Sequence, residues 1–146
     1  MKITPHLHFD GQCEEAFLAY QRILGGTINT MLKYGESPMA DSVDAQWHNR
    51  IIHATLQLGE FELAGADTLP QDFRHPQGFA VILTISDLTR AGENFDRLAE
   101  GGEVQLPFEK SFWSAGYGMC IDRFGIPWEI NCNAPPTVMP RLLDKP

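Results

Sequence analysis

The two halves of this chain show the same order of hydrophobic patterns. Each half begins with an alternating segment, continues with an amphipathic segment that runs into a pair of glycines, and ends with further alternating segments. The amphipathic segments predict helices over about 10–24 and 88–100. Their apolar stripes match: Ala16, Tyr20 and Ile23 in the first, and Ala91, Phe95 and Leu98 in the second. The repeat predicts two tandem βαβββ modules.

The predicted strands set the limits of each half. They lie at about 2–9, 27–34, 50–58 and 61–66 in the first half, and at about 79–86, 103–108, 117–121 and 126–131 in the second. We therefore place module one at about 1–66 and module two at about 79–132, followed by a proline-rich C-terminal arm over 133–146. Modules of roughly seventy residues are marginal alone, so we expect one domain, 1–146, with a shared core.

Alternation within the strands separates an apolar face from a mixed one. Helices must cover the apolar face, which predicts an α+β fold. The mixed face collects the polar side chains that carry chemistry: His6, His8, His53, Thr55, Gln57, Glu62, Glu129 and Asn131. On a flat sheet this face would only be solvated. Two equivalent modules that curl toward each other would instead make it the lining of a cleft, and we expect the cleft.

Composition and charge narrow the function classes. A formal net charge of -8 and a pI near 5.0 oppose binding to nucleic acid or anionic lipid, because those surfaces attract clustered Lys and Arg. Because the first residues lack the apolar core of a signal peptide and no stretch approaches ~20 apolar residues, we expect neither a signal peptide nor a membrane span. Cys13, Cys120 and Cys132 are odd in number and lack C-x-x-C spacing, which predicts neither a disulfide framework nor a zinc knuckle. A reducing, cytoplasmic location is expected.

Three segments of the chain resemble a known family. They are PHLHFDGQCEEAFLAYQRILGG, HATLQLGEFELAGAD and FWSAGYGMCIDRFGIPWEI. Over roughly residues 2–132 the chain resembles the PhnB-like branch of the vicinal oxygen chelate superfamily, which also contains glyoxalase I, bleomycin-resistance proteins and extradiol dioxygenases. The most specific positions are Phe112, Trp113, Tyr117, Gly118, Asp122, Phe124, Gly125 and Trp128, in that order.

The resemblance implies a definite architecture. Paired βαβββ modules would form an eight-stranded, U-shaped mixed sheet around a cleft, with the helices on the outer face, usually in a homodimer. Some PhnB-like proteins carry the name 3-demethylubiquinone-9 3-methyltransferase by sequence similarity. We do not adopt that activity, because this chain lacks a glycine-rich loop after its first strand to hold a nucleotide-like methyl donor.

Metal enzymes of the superfamily place His and Glu ligands on the first and last strands of each module, and leave open positions for a chelating substrate. The resemblance puts Glu129 at the closing-strand position, Glu62 at its internal-repeat equivalent, and His6 or His8 near the first-strand position. Ala80 stands where the second module would need a histidine. We therefore expect no metal or other cofactor; a divalent Zn, Ni, Mn or Fe ion, if bound, would use His6, Glu62 and Glu129.

The ligand site and its alternatives follow from the same residues. We expect the lining to include His6, His8, His53, Glu62, Trp113 and Tyr117. Glu129 is the candidate catalytic residue, since burial in a cleft would raise its pKa as in a general base, although a solvated carboxylate is an equal alternative. The histidines can be simple polar-face residues, and Trp113 and Tyr117 can anchor a dimer contact instead of a ligand.

Three functions remain in view. The leading hypothesis is a homodimeric, PhnB-like protein that binds a small organic molecule in its cleft without a complete metal centre. One alternative is a metal-dependent isomerase, lyase or dioxygenase of the glyoxalase type. The other is a drug-sequestering resistance protein that holds a cationic aromatic compound against tryptophans and carboxylates. The sequence does not decide whether the chain is an enzyme.

Overall fold

The computed structural model describes residues 1–134, so the arm predicted over 133–146 lies almost wholly outside the described residues. The first module comprises β1 (His6–Phe9), α1 (Cys13–Leu24), β2 (Thr27–Lys33), β3 (Ile51–Leu58) and β4 (Phe61–Asp67). The second comprises β5 (Val81–Ile85), α2 (Leu88–Ala99), β6 (Glu103–Glu109), β7 (Gly116–Ile121) and β8 (Pro127–Cys132). Three short 3-10 turns lie between β2 and β3. Each module therefore has the predicted order of elements, although β1 begins at His6 and not at residue 2.

The strands form two four-stranded mixed sheets of the same topology. Their orders are β1-β4-β3-β2 and β5-β8-β7-β6. In each sheet the first strand of the module is parallel to the last, and the other neighbours are antiparallel. The α+β class and the two-module architecture are thus confirmed. Within residues 1–134 the eight strands belong to two separate hydrogen-bonded ladders of four.

Both helices begin and end where the sequence supplies suitable groups. Helix α1 carries Glu14 and Glu15 in its first turn, at the positive end of the helix dipole, and it stops at Gly25, whose φ is 82°. At the start of α2 the Asp87 carboxylate accepts a hydrogen bond from the backbone N–H of Arg90 at 2.7 Å, as an N-cap does. No helix in residues 1–134 combines the length and apolar character needed to cross a bilayer.

One hydrophobic core contains residues from both modules. Helix α1 packs mainly on β3, α2 packs mainly on β7 and β8, and the two helices also contact each other. The largest fully buried side chains are Trp128, Tyr20, Phe9, Phe17, Leu7 and Ile51. Because burial of apolar surface is the main favourable term in folding, the shared core joins the modules into one unit.

A buried carboxylate links the modules at the centre of this core. Asp122, in the β7–β8 turn, accepts hydrogen bonds from the Tyr20 hydroxyl at 2.5 Å and from the Trp128 indole N–H at 2.8 Å. Its other oxygen accepts the backbone N–H groups of Phe124 and Ile126, both at 2.9 Å. Burial, and then the neighbouring Asp122 charge, raises the pKa of Tyr20 well above its usual value. Tyr20 therefore stays protonated and remains a donor to the second module.

Candidate functional site

Three predicted histidines lie together on the mixed face of the first sheet. His6 and His8 point to that face because Leu7 and Phe9, between and after them, are buried in the core. The His6 ring lies 5.1 Å from the His8 ring and 6.1 Å from the His53 ring, measured between centroids. Burial, followed by the neighbouring charges of His8 and His53, lowers the pKa of His6. His6 is therefore biased toward the neutral imidazole, which can donate and accept hydrogen bonds.

Glu62 lies on the same face but does not join the histidines. It is opposite Gln57 in the β3–β4 ladder, and one of its carboxylate oxygens is 3.0 Å from the ammonium group of Lys2. The Lys2 side chain is largely exposed, so the ion pair contributes little to stability. The Lys2 ammonium group nevertheless binds the Glu62 carboxylate at the edge of the face.

The second sheet brings three further predicted residues together. Glu129 on β8 is opposite Met119 on β7, and the Tyr117 hydroxyl donates a hydrogen bond to its Oε1 atom at 2.8 Å. Burial, and then this hydrogen bond and charge, raises the pKa of Tyr117 to about 12. The Trp113 ring packs edge-on against Tyr117, with centroids 4.6 Å apart. These contacts fix the orientation of the Glu129 carboxylate and leave its second oxygen without a partner among residues 1–134.

Two hollows open on these faces. One, of about 370 Å³, is lined by His6, His8, Asp72, Arg74, His75, Pro76, Gln77 and Phe79. The other, of about 400 Å³, is lined by Pro76, Gln77, Gly78, Phe79, Ala80, Gln105, Met119, Ile121, Pro127, Trp128 and Glu129. Pro76, Gln77 and Phe79 belong to both linings, so the histidine hollow and the Glu129 hollow adjoin along the segment between the modules. Among the described residues, four of the predicted site residues line neither hollow: His53, Glu62, Trp113 and Tyr117.

The intermodule segment, residues 68–80, was missed as a source of site residues. Its sequence is polar and contains prolines, as in a simple connection, yet it supplies Asp72, Arg74 and His75 to the histidine hollow. Its length was an available signal, because unstructured connections longer than about 12–15 residues are usually functional. Thr68 lies at the start of this segment, and its hydroxyl oxygen is 3.2 Å from Nδ1 of His8.

The internal equivalence predicted for Glu62 and Glu129 is wrong. Two matching hydrogen bonds close the parallel pairs: Thr68 N–H to the Phe9 carbonyl, and Asn133 N–H to the Ile85 carbonyl. Counting back from these bonds aligns Glu129 with Ala64 and places Glu62 two residues out of step. The sequence pattern misled because both glutamates lie between apolar neighbours.

The same register corrects the position expected to lack a histidine. Opposite His6 on β4 is Ala64, and opposite Glu129 on β5 is Ile82. Ile82, and not Ala80, is thus the counterpart of His6. Neither module pairs a first-strand histidine with a last-strand carboxylate, and residues 1–134 contain no group of three or more His, Cys, Asp or Glu side chains arranged to hold a metal ion. The residues present do not fit the metal centre of the superfamily's metal enzymes.

Comparison with known proteins gives consistent matches. Residues 1–131 match the family model described as 3-demethylubiquinone-9 3-methyltransferase. Protein YjdN of Escherichia coli K12 is 29% identical over 139 residues, covering 90% of this chain and 95% of YjdN. The crystal structure of PA1353 from Pseudomonas aeruginosa is 39% identical with a TM-score of 0.83, covering 92% of this chain and 99% of that one.

More distant structures share the fold alone. The PhnB protein of Bacillus cereus is 24% identical with a TM-score of 0.77, covering 90% of this chain and 99% of that chain. A glyoxalase-related enzyme from Fulvimarina pelagi and a bleomycin resistance determinant encoded on transposon Tn5 are each 17% identical, with TM-scores of 0.61 and 0.53. These similarities extend over nearly the whole described chain.

Proposed function

Since this chain belongs to the 3-demethylubiquinone-9 3-methyltransferase family, within the vicinal oxygen chelate superfamily, we propose that it binds a small organic molecule in the Glu129 hollow. The methyl transfer in the family's description is not part of the proposal. The connection from β1 to α1 is Asp10, Gly11 and Gln12, which has one glycine and cannot form the G-x-G-x-x-G loop that cradles nucleotide phosphates.

The observation that carries the proposal is the environment of the Glu129 carboxylate. The side chain is half-buried, and its neighbours in the two flanking ladders are Ile82 and Met119. A carboxylate can accept several hydrogen bonds, but the described residues give Glu129 one, from Tyr117. Its free oxygen therefore favours a ligand that brings an N–H or O–H donor on an apolar body.

A cationic donor fits this hollow best. An ammonium group would pair with Glu129 in surroundings of reduced dielectric, where a charge-assisted hydrogen bond is strengthened. The Tyr117 hydroxyl bonds the carboxylate and the Trp113 ring packs on Tyr117, so both rings lie near the hollow, outside its lining, and offer faces to which a cation is attracted. This arrangement favours the sequestering alternative over the metal-dependent one, which lacks its ligand set among residues 1–134.

Titration of tryptophan fluorescence with an aromatic amine tests the proposal. Phenethylamine should change the emission, and its carboxylate analogue phenylpropionate should not, because it would face Glu129 with a like charge. Trp128 lines this hollow and Trp113 packs on Tyr117, so replacement of Trp113 by Phe should reduce the response and leave the part that comes from Trp128. Glu129→Gln should weaken amine binding about tenfold or more, which corresponds to about 1.4 kcal/mol.

Glu62→Gln is the matched control, because its carboxylate lies on the other sheet beside Lys2. It should leave the affinity for the amine unchanged. Equal affinities in wild type and Glu129→Gln, or equal binding of the amine and the acid, would contradict the proposal.

We also propose that the chain forms a homodimer. The support is a set of exposed apolar side chains on β6, an edge strand, and on the loop that follows it: Phe112 is 89% exposed, Val104 is 50% exposed and Leu106 is 44% exposed. Exposed apolar side chains on an edge strand support pairing with a second copy of the chain. Light scattering coupled to gel filtration should give twice the chain mass of 16.4 kDa, and Phe112→Ser should shift it toward the monomer.

A further inference from the structure

We infer that a second hollow, on the helical side of the molecule and separate from the Glu129 site, binds an oxyanion of the phosphate class. It has a volume of about 350 Å³ and lies where the C-terminal ends of α1 and α2 meet the β7–β8 turn. Three arginines, one from each of these elements, line it: Arg22, Arg97 and Arg123. Nothing in the proposed function uses this place.

The concentration of cations here contrasts with the rest of the chain. Lys and Arg number 11 against 19 Asp and Glu, giving a net charge of -8. Of the seven arginines in the sequence, three converge on one hollow. Guanidinium groups that share a small space repel one another, and an anion bound between them removes that repulsion.

The three guanidinium groups retain free donors. Arg97 uses an N–H on the carbonyl of Arg22 at 3.3 Å, and Arg123 pairs with exposed Glu15 at 3.2 Å while lying over the Phe124 ring at 4.4 Å. Within residues 1–134 the Arg22 side chain makes no hydrogen bond or ion pair. Since each guanidinium carries several N–H donors in a planar fork, most of them remain available for a ligand.

The acidic side chains at this place offset much of the arginine charge: the lining holds three arginines against Asp122 and Glu100, and Glu15 pairs with Arg123, so the case rests on the free guanidinium donors. Both oxygens of Asp122 are already filled by its four donors, so its carboxylate has no free acceptor to hold a guanidinium. Glu100 at the rim is the remaining acidic side chain of the lining. The carbonyl ends of the helices also carry partial negative charge, but the Arg97 contact to the Arg22 carbonyl satisfies one of these groups.

The geometry of the donors selects the ligand class. Guanidinium forks bind phosphate and similar oxyanions through paired hydrogen bonds, and arginine is the residue preferred for that purpose. The volume falls within the range of about 300–1,000 Å³ that is typical of small-molecule pockets, which leaves room for an organic group attached to the phosphate. The ligand is therefore either free phosphate or a small phosphate monoester.

Calorimetric titration with inorganic phosphate and with phenyl phosphate, at ionic strength held constant with chloride, tests the inference. We expect saturable binding of at least the monoester; equal affinities would assign the site to the phosphate group alone, and tighter monoester binding to an organic phosphate. Arg22→Gln and Arg97→Gln should each weaken binding about tenfold or more.

Arg90→Gln is the matched control, because Arg90 lies at the opposite end of α2 and outside the lining. It should bind like the wild type. Arg22→Lys keeps the charge and loses the fork, so a fall in its affinity would identify paired hydrogen bonding, and the further fall in Arg22→Gln would measure the contribution of charge. Circular dichroism checks that each variant is folded. Absence of binding in the wild type, or equal binding in folded Arg22→Gln and Arg90→Gln, would overturn the inference.

Discussion

At the scale of single residues, the chain commits a charged group to its interior. Asp122 is 4% exposed and accepts four hydrogen bonds, two from side chains and two from the backbone. A buried carboxylate is tolerated when its oxygens are satisfied in this way, but removal of the carboxylate leaves its donors unpaired. The structural cost of a mutation here should therefore exceed the value of one hydrogen bond.

Asp122→Ala should lower the free energy of unfolding by at least about 3 kcal/mol, because four donors, including the Tyr20 hydroxyl and the Trp128 indole, lose their acceptor. Tyr20→Phe removes one donor and should cost about 1–2 kcal/mol. Urea denaturation measures both. Asp96→Ala, on the exposed side of α2, is the control and should change stability by no more than about 0.5 kcal/mol. A loss from Asp122→Ala as small as the control's would show that the network contributes nothing.

His6 supplies a prediction about pH. Its pKa is lowered from the usual 6.5 by burial and then by His8 and His53, so the folded protein binds fewer protons than the unfolded chain near that value. The contribution of His6 to stability is thus present above pH 6.5 and is lost as pH falls below it. An NMR titration should give His6 a midpoint below 6.5, and His53→Ala should raise that midpoint. An unchanged midpoint in His53→Ala would contradict a contribution of the His53 charge to the lowered pKa of His6.

At the scale of elements, the sequence predicted what depends on local pattern and missed what depends on register. Both helices and all eight strands were expected from apolar periodicity, because each buries one face against the core. The pairing of Glu129 with Ile82, and of His6 with Ala64, depends instead on how two distant strands slide along each other. No local feature of Glu62 distinguishes it from Glu129, so the internal equivalence came out two residues wrong.

The residues that the intermodule segment contributes were missed for a similar reason, because local pattern does not reveal them. Its residues form neither helix nor strand, so no periodicity announces which side chains turn toward β1 and β8. The hydrogen bond from Tyr117 to Glu129 could be expected only in outline, since both residues were assigned to the site but their contact requires the β7–β8 register.

Close packing between elements gives a matched pair of predictions in the second module. A Cβ atom added to Gly118 on β7 would lie 2.8 Å from the Phe95 ring and 2.9 Å from the Phe108 backbone, so Gly118→Ala should destabilise the fold by about 1–3 kcal/mol. A Cβ atom on Gly92 in α2 would meet the Phe108 ring at an ordinary 3.6 Å. Gly92→Ala should therefore stabilise the helix by up to about 1 kcal/mol. Urea denaturation of the two variants should give opposite signs, and equal signs would contradict this packing.

At the scale of the whole molecule, the two halves share topology and differ in chemistry. The mixed face of the first sheet carries His6, His8 and His53, whereas that of the second carries Glu129 among apolar neighbours. Duplicated frameworks diverge in this way because side chains on an open face are free to change while core positions are not. The repeat therefore predicts the framework well and predicts poorly which half holds a given functional group.

The reactivity of the three buried cysteines measures how often the folded protein opens. Cys13, Cys120 and Cys132 are each at most 1% exposed. Burial raises the pKa of Cys120 to about 11 and that of Cys13 well above its usual value, so little reactive thiolate is present at neutral pH. A disulfide reagent such as DTNB should label the native protein far more slowly than the urea-unfolded protein. Asp122→Ala should accelerate labelling in step with its loss of stability. Rapid labelling of the folded wild type would contradict the burial.

The Tyr20 hydroxyl and the Asp122 carboxylate come from opposite sides of the intermodule segment, so the bond between them does not depend on an unbroken polypeptide. A chain cleaved between β4 and β5 would still carry the Tyr20 phenol on one fragment and the Asp122 carboxylate that accepts its hydrogen bond on the other. Two such fragments, produced as separate proteins, have a built-in mutual recognition element, and the duplicated architecture thereby offers a natural place to divide the protein into complementing parts.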